Sequence, residues 1–489
     1  MDKIENKIKK VKNLAFVLVG LASMTAANAQ KGYVVKPNEI KCSENIPVVG
    51  VKKGLTDEQL METVQKQTFR YFWHYGHPVS GMARERSNTV KADFYWDYIN
   101  EAWDEPNFSK GTFGPEACAV GGTGFGIMAT IVAVERKWIS REAGLERITK
   151  IADFLNKAKS FHGIYPHFIN GNTGLPIAFD RVDNGGDIVE HSYIMMGFLC
   201  AREYFKTAAP REVYLRSRIN KMWNASNWNW YTNNEKKLYW HWSDTHGFDM
   251  NFPIWGWSEA LITYIMSASS PTHPISKAAY EGTWSKSTNF LCNQEFYGIK
   301  LPLGNYAESK GGPLFFEQYT FMGINPNGLT DDNGINYAEQ TKNHTLINRA
   351  YCIENPKKYK GYGENCWGLT AGDSYKGYVA HDPNPQNDFG VIQPTAALSS
   401  MPFTPKESMQ VMRHFYEDLG PKLWGEYGFN DGFSEQRDWY SNTYLAIDQG
   451  PIIVMIENHR TGLIWDLFMK IPEVQGGLKK LGFDSKKAN

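Results

Sequence analysis

Apolar side chains recur at helical spacing along most of the chain. A lead-in over residues 30–54 contains Pro and Gly. Thr56 and Gln59 then make the capping box that opens a helix carrying Leu60, Val64, Tyr71 and Phe72. Residues 126–136 predict a mostly apolar helix, and 140–159 repeat the period at Leu145, Ile148, Ala152 and Leu155. The same pattern predicts helices over 187–206, 211–223, 256–268, 274–290, 338–351, 405–418, 442–459 and 462–470. Strand patterning is sparse. Its best instance is Trp228-Asn229-Trp230-Tyr231, Asn233-Asn234 and the alternating run 237–242, which predict a small β-hairpin. The intervening loops are long and rich in Gly, Asn and aromatic residues, and loops of that kind are usually functional.

The pattern defines an all-α chain. About twelve helices in roughly 430 residues fit two concentric rings of six, an (α/α)6 toroid, and they fit a long helical array or a two-domain helical protein equally well.

Composition removes whole classes of function. The 489 residues carry 52 basic and 52 acidic side chains, a balance that offers no phosphate-neutralising surface, so a nucleic-acid partner is not expected. At 42% hydrophobic and 21% charged the chain is no disordered segment. Five lysines within residues 1–13, an apolar run over 14–22 and Ala27-Asn28-Ala29 read as a signal peptide over residues 1–29. The run is too short to span a bilayer and no Cys stands just behind it. An exported, periplasmic or secreted protein without membrane insertion is expected.

Cys42, Cys118, Cys200, Cys292, Cys352 and Cys366 form no CxxC pair, and most read as buried thiols. No metal site is expected: the pairs His162 and His167, and His241 and His246, lack a ligand pattern, and Asp331-Asp332-Asn333-Gly334 lacks the rest of a calcium loop. The run Gly121-Gly122-Thr123-Gly124-Phe125-Gly126 follows no strand and precedes no Lys-Ser/Thr, so close helix packing is the better reading than a nucleotide loop. Arg84-Glu85-Arg86 reads as internal ion pairing.

The candidate chemistry lies in acids at helix entrances, set among Trp. Asp183, Asp187 and Glu190 fall at i, i+4 and i+7, with Gly185-Gly186 placing Asp183 in the entering loop and Asp187 at the helix start. The spacing supports a carboxylate cluster at a cleft and, equally, an N-cap with a solvated face. Glu259 is expected in the first turn of an apolar helix, directly after Trp255 and Trp257. An apolar wall raises a carboxyl pKa and suits a general acid; a dipole-facing Glu beside two core Trp is the alternative. Asp448 stands in a nearly all-apolar stretch, where burial of an acid is expensive, so a functional role or a hydrogen-bonded structural one is expected. Glu364 and Glu426 occupy Gly/aromatic loops, as subsite or turn residues. Trp255, Trp257, Trp367, Trp424 and Tyr427 are the sugar-stacking candidates.

Several segments together resemble the bacterial glucoamylase-like proteins grouped with the endo-β-1,2-glucanases of glycoside hydrolase family 144. They are Thr68-Phe69-Arg70-Tyr71-Phe72-Trp73 through 80–86, Gly121 to Gly126, the stretches 183–190 and 251–259, Asn343-His344-Thr345 through Asn365-Cys366-Trp367-Gly368-Leu369-Thr370, and 445–451. The resemblance covers nearly all of residues 55–485 and implies a single catalytic (α/α)6 domain over 55–489. It implies an exported enzyme that hydrolyses β-1,2-glucan with inversion; no cofactor is required, and a monomer is expected. Glu259 is then the general acid and Asp448 the general base, acting on water directly or through a short hydrogen-bonded chain, with Asp183, Asp187 and Glu190 as supporting acids. Two alternatives stay open: an exo-acting gluco-oligosaccharide hydrolase of the same fold, and a non-catalytic glycan-binding protein of an uptake system.

Overall fold

A computed structural model describes residues 44–87, 114–179, 181–304 and 310–485, with the paired strands Trp96–Asp97 and Ala102–Trp103. The signal-like segment and Cys42 lie outside the described residues. Among the described residues, eleven helices have seven residues or more. They are α1 (Asp57–His74), α2 (Val120–Glu135), α3 (Arg141–Leu155), α4 (Ile188–Tyr204), α5 (Pro210–Ala225), α6 (Leu261–Ser269), α7 (Tyr337–Glu354), α8 (Pro405–Glu417), α9 (Ala446–Arg460), α10 (Leu463–Met469) and α11 (Pro472–Leu481).

Burial sorts these helices into two kinds. In α2 every residue from Val120 to Val134 is buried, and α4, α6 and most of α9 are buried all round. The short helical turns Thr320–Met322 and Pro394–Leu398 are enclosed in the same way, and Phe315–Gln318 buries Glu317 and Gln318. A helix apolar on every side must stand inside a ring of others. By contrast α3, α5 and α8 bury one face: α3 through Leu145, Ile148, Ala152 and Leu155, α8 through Val411, Met412 and Phe415. Inner and outer elements alternate along the chain, and α9 packs on both α1 and α2, which closes the circle. The result is the (α/α)6 toroid, carrying small two- and three-stranded sheets on its loops.

Close approach of the inner helices depends on glycine. A Cβ at Gly124 of α2 would lie 2.2 Å from the Tyr193 carbonyl oxygen of α4, and one at Gly197 would lie 2.3 Å from that of Gly124. The Gly-rich run therefore lies inside a helix and lets two backbones touch, as its sequence suggests. Gly124→Ala is expected to destabilise the fold by about 1–3 kcal/mol or more, because the clash is with backbone and cannot be relieved by a rotamer change. Urea unfolding followed by circular dichroism checks this.

Several boundaries differ from the sequence pattern. The capping box at Thr56 forms as expected. Trp228–Thr232 is a 3-10 helix rather than a strand, and His241–Trp242 pairs with Gly186–Asp187, so the expected hairpin is absent. Residues 274–290 hold only Lys277–Tyr280 and a π-helical turn Glu281–Ser285. The helix expected from 256 begins at Leu261, which leaves Glu259 in a turn ahead of it rather than in its first turn. Cys118, Cys200, Cys292, Cys352 and Cys366 are free, all but Cys292 buried. Among the described residues no helix is long and apolar enough to cross a membrane.

Candidate active site

The entrances of the inner elements converge at one end of the toroid. The Gly121 N–H at the start of α2 donates to Glu190 Oε2 of α4 at 2.7 Å. Thr320 Oγ1 donates to the Glu259 carbonyl at 2.9 Å and accepts the Ile262 N–H of α6 at 3.1 Å. Thr395 Oγ1 donates to the Asp448 carbonyl at 2.9 Å, and the Ala446 N–H that opens α9 reaches the Glu85 carbonyl. Helix N-termini carry partial positive charge and free N–H groups, so this end suits carboxylates.

One wall of the site is built on α4. Asp187 is its N-cap: Oδ1 accepts the Val189 and Glu190 N–H groups at 2.9 and 3.0 Å. Its other oxygen meets His167 Nδ1 and accepts from Trp240 Nε1, both at 3.0 Å. This carboxylate is saturated, so it orients its neighbours. His167 Nε2 lies 3.8 Å from Glu190 Oε1. Burial opposes charge on His167, but Glu190, Asp187 and Asp183 outweigh it and raise its pKa to about 9, so the imidazole is cationic at neutral pH. Burial raises Glu190 to about 7, with His167 and the Gly121 N–H opposing and Asp187 adding. Asp183, 5% exposed, lies 3.7 Å from His241 Nε2. That contact is no ion pair: burial holds His241 down at about 4, and Nε2 accepts the Gly185 N–H at 2.8 Å.

Glu259 is half-buried beside this wall. Burial lifts its pKa to about 7 against its own backbone N–H and the Ser258 hydroxyl, and the charges of Asp187 and Glu190 add to the rise. It therefore holds a proton close to neutral pH, as a general acid requires.

The other wall starts at α9. Asp448 is 2% exposed and its pKa is pushed well above the usual carboxylate range, first by burial and then by the charge of Asp431. Asp431, also 2% exposed, accepts the Asp373 N–H on Oδ2 at 2.5 Å. Asp373 takes Arg86 Nη2 at 2.9 Å and Thr443 Oγ1 at 2.7 Å, while Glu85 Oε2 takes Arg86 Nε at 3.0 Å. Tyr319, 6% exposed, feels both Asp448 and Glu190. It packs on Tyr193 and Phe125 with ring centroids 5.7 and 5.2 Å apart, as an aromatic floor between the walls.

The structure thus brings Asp183, Asp187, Glu190, Glu259 and Asp448 to one end of the toroid. The expected stacking residues fare differently. Trp257 is fully buried, packs on Trp284 and Tyr337, and donates Nε1 to the buried Glu317 at 2.9 Å. Trp367 is likewise 0% exposed. Neither can offer a face to a sugar; the apolar character that made them look like platforms belongs to the core. Tyr427 is enclosed by Tyr71, Tyr75 and Tyr444, and Trp424 is half-buried with its indole donating to the Val49 carbonyl. Glu426 is tied to Arg70 at 3.4 Å, and Glu364 stands exposed in the turn closed by the Gly363 and Cys366 bridge. Trp255 remains half-buried, and Trp240, beside Asp187, is the aromatic the pattern did not single out.

His167, Asp373 and Asp431 also escaped the pattern. Asn430-Asp431-Gly432-Phe433 closely follows the Gly/aromatic loop at 424–428, which is the signal that could have found Asp431. Arg84-Glu85-Arg86 does pair internally, but Arg86 also reaches 287 residues along the chain to Asp373.

An (α/α)6 toroid with an acid-lined end describes a large class of proteins, and the comparisons narrow it. Residues 251–472 match a family described as "Putative glucoamylase". A Bacteroides uniformis protein described in the same two words is 52% identical, with a TM-score of 0.83, and the match covers 90% of this chain and all of that one. The endo-β-1,2-glucanase of Chitinophaga pinensis, solved with sophorotriose and glucose, is 49% identical with a TM-score of 0.81, over 88% of this chain and 99% of that one. The chain belongs to this glucoamylase-like family, consistent with glycoside hydrolase family 144. A Parabacteroides distasonis exo β-1,2-glucooligosaccharide sophorohydrolase (non-reducing end) is 39% identical over 447 residues, and this chain spans 58% of that relative's length.

Proposed function

We propose that the protein is an exported glycoside hydrolase that cleaves β-1,2-linked glucan within the chain by an inverting acid/base mechanism. The observation that carries this reading is the pairing of a proton-holding Glu259 ahead of α6 with a buried Asp448 at the start of α9, at one end of one toroid. The 49% identity to an endo-β-1,2-glucanase supports the linkage. Glu259 gives its proton to the glycosidic oxygen as that bond breaks. Asp448 takes a proton from the water that attacks the anomeric carbon from the opposite face, directly or through a short hydrogen-bonded chain, so the product has the inverted configuration. Export rests on the signal-like residues 1–29.

The test is chromatography of products from linear β-1,2-glucan, laminarin and starch, side by side, with the anomer of the first product read by NMR. A ladder of short oligosaccharides from the β-1,2-glucan alone, α-configured at first, is expected. The sophorohydrolase relative favours one second reading, exo action; a single disaccharide from the first minutes onward would assign it.

The acid assignment fixes one limb of the pH profile. Glu259 works protonated, so kcat/KM is expected to fall as pH rises through about 7. The Glu190 charge contributes to that raised value, so Glu190→Gln is expected to move this limb to lower pH. A rate–pH series on both proteins checks it, and an unmoved limb removes Glu190 from the environment of the acid.

A further inference from the structure

The loops that lead into α4 and α6 interlock beside the acids, and an exposed indole on their rim has no part in the chemistry above. Residues 156–187 leave the outer helix α3 and enter α4, while residues 226–260 leave the outer helix α5 and run to α6. The two loops meet where Gly186–Asp187 pairs with His241–Trp242, and where the Asn227 N–H donates to the His162 carbonyl at 2.9 Å. Trp230 stands on the 3-10 turn Trp228–Thr232 and is 40% exposed. The same turn is anchored from below: Trp228 and Tyr231 are fully buried, and the Tyr231 hydroxyl donates to the Phe161 carbonyl at 3.1 Å.

One exposed apolar side chain is ordinary on a protein surface. Trp230 differs in being propped. The His162 ring stacks on it with centroids 3.6 Å apart and planes 20° from parallel. Trp242 stands nearly perpendicular to both rings, 5.6 Å from Trp230 and 4.5 Å from His162. Those three separations put Trp242 on the same side of the Trp230 plane as His162. Both props are thus behind the indole, and among the described residues no ring covers its other face. Polar groups border this cluster: Asn229 is exposed, and Lys159 Nζ pairs with Asp244 Oδ2 at 2.6 Å while lying 4.9 Å from the Phe161 ring. A flat apolar face held at a fixed tilt, with polar groups at its rim, suits the C–H face of a pyranose ring.

The platform is joined to the acid site. Trp240 donates Nε1 to Asp187 Oδ2 at 3.0 Å, His241 pairs with Asp187, and Trp242 props Trp230, so one three-residue stretch ties the indole to the α4 wall. An internal bond of a polymer can be cut only when the chain runs on beyond the reacting groups, so endo action needs surface outside the acids to hold it. We propose that Trp230 is the stacking platform of a distal subsite that holds a glucose residue of β-1,2-glucan outside the acid-lined cleft. The occupant rests on the hydrolase reading given above, and the experiments separate the two.

Trp230→Ala is expected to raise KM for long linear β-1,2-glucan about 5- to 10-fold with kcat within about twofold, because a contact far from the reacting bond holds ground and transition states alike. The rise is expected to shrink as the substrate is shortened, to below about twofold for oligosaccharides that cannot reach the platform. Trp230→Phe keeps a flat ring and is expected to recover part of the loss. The indole is exposed, so the variants retain the fold. A KM that does not change, or that rises equally at every chain length, overturns the proposal.

A second readout needs no turnover. In a Glu259→Gln background, which spares the polymer, native gels containing linear β-1,2-glucan are expected to retard the protein and to retard it less once Trp230→Ala is added. Equal retardation of the two overturns the platform even when the wild type is active. Retardation in laminarin alone overturns the β-1,2-linked occupant. Retardation that depends on Trp230, in a protein whose wild type cleaves no β-1,2-glucan, leaves the platform standing and overturns the hydrolase reading.

Discussion

Glu259→Gln is expected to lower kcat on β-1,2-glucan about 1,000-fold while leaving affinity for a β-1,2-linked oligosaccharide within a few-fold, because the amide matches the carboxyl in shape but has no proton to give to the leaving oxygen. Binding by calorimetry and turnover by reducing-end assay measure the two halves. The loss should depend on the leaving group. An aryl glycoside whose phenolate leaves without protonation is expected to recover most of the rate in the variant, whereas a variant that lost only its fold would recover nothing. Turnover within about tenfold of wild type would move the acid role to Glu190, the neighbouring carboxyl also held at about 7.

The same substitution carries a thermodynamic signature. The folded-state pKa of Glu259 lies above its ordinary value, so the native state binds the proton more tightly than the unfolded chain does. Stability from this group is present at low pH and is lost as pH rises through about 7. Gln cannot ionise. Glu259→Gln is thus expected to melt about 1–3 °C above wild type on the alkaline side and to match it in acid. A calorimetric melting series across pH checks the sign, and a stabilisation seen only in acid would refute the raised pKa.

The parts that were legible in the sequence are those encoded by local period. The inner helices were visible because they are apolar all round, and the capping box at Thr56 and the tight crossing at Gly124 follow from residues a few positions apart. Acids opening apolar helices were legible for the same reason: Asp187 caps α4 and Asp448 sits in the first turn of α9. Pairings across the chain were not legible. Asp373 comes to Arg86 from 287 residues away, and Asp431 comes to Asp373 from 58 away; no local pattern records either. Aromatic residues were the weakest guide. Trp255 and Trp257 are two positions apart, yet one is half-buried and the other is fully buried against Trp284 and Glu317. An indole suits a core as well as a sugar, and only the fold decides between them.

Removing the base should fail in a different way from removing the acid. Asp448→Asn is expected to lower kcat about 1,000-fold or more for natural glucan and aryl glycoside alike, since both need the attacking water to lose a proton whatever the leaving group. Its insensitivity to the leaving group is the discriminating result: a large aryl-glycoside rescue would assign Asp448 to leaving-group protonation instead. Asp448→Ala extends the test. Asp448 is 2% exposed and packed at the start of α9, so truncation opens a small cavity where the carboxyl stood. Azide is small and anionic, and it attacks without surrendering a proton. It is expected to restore turnover of the Ala variant and to yield a glycosyl azide of inverted configuration. Formation of the azide with retained configuration would place a covalent intermediate on another residue and replace the single displacement with a double one, with Asp448 then the acid/base group that activates the incoming nucleophile.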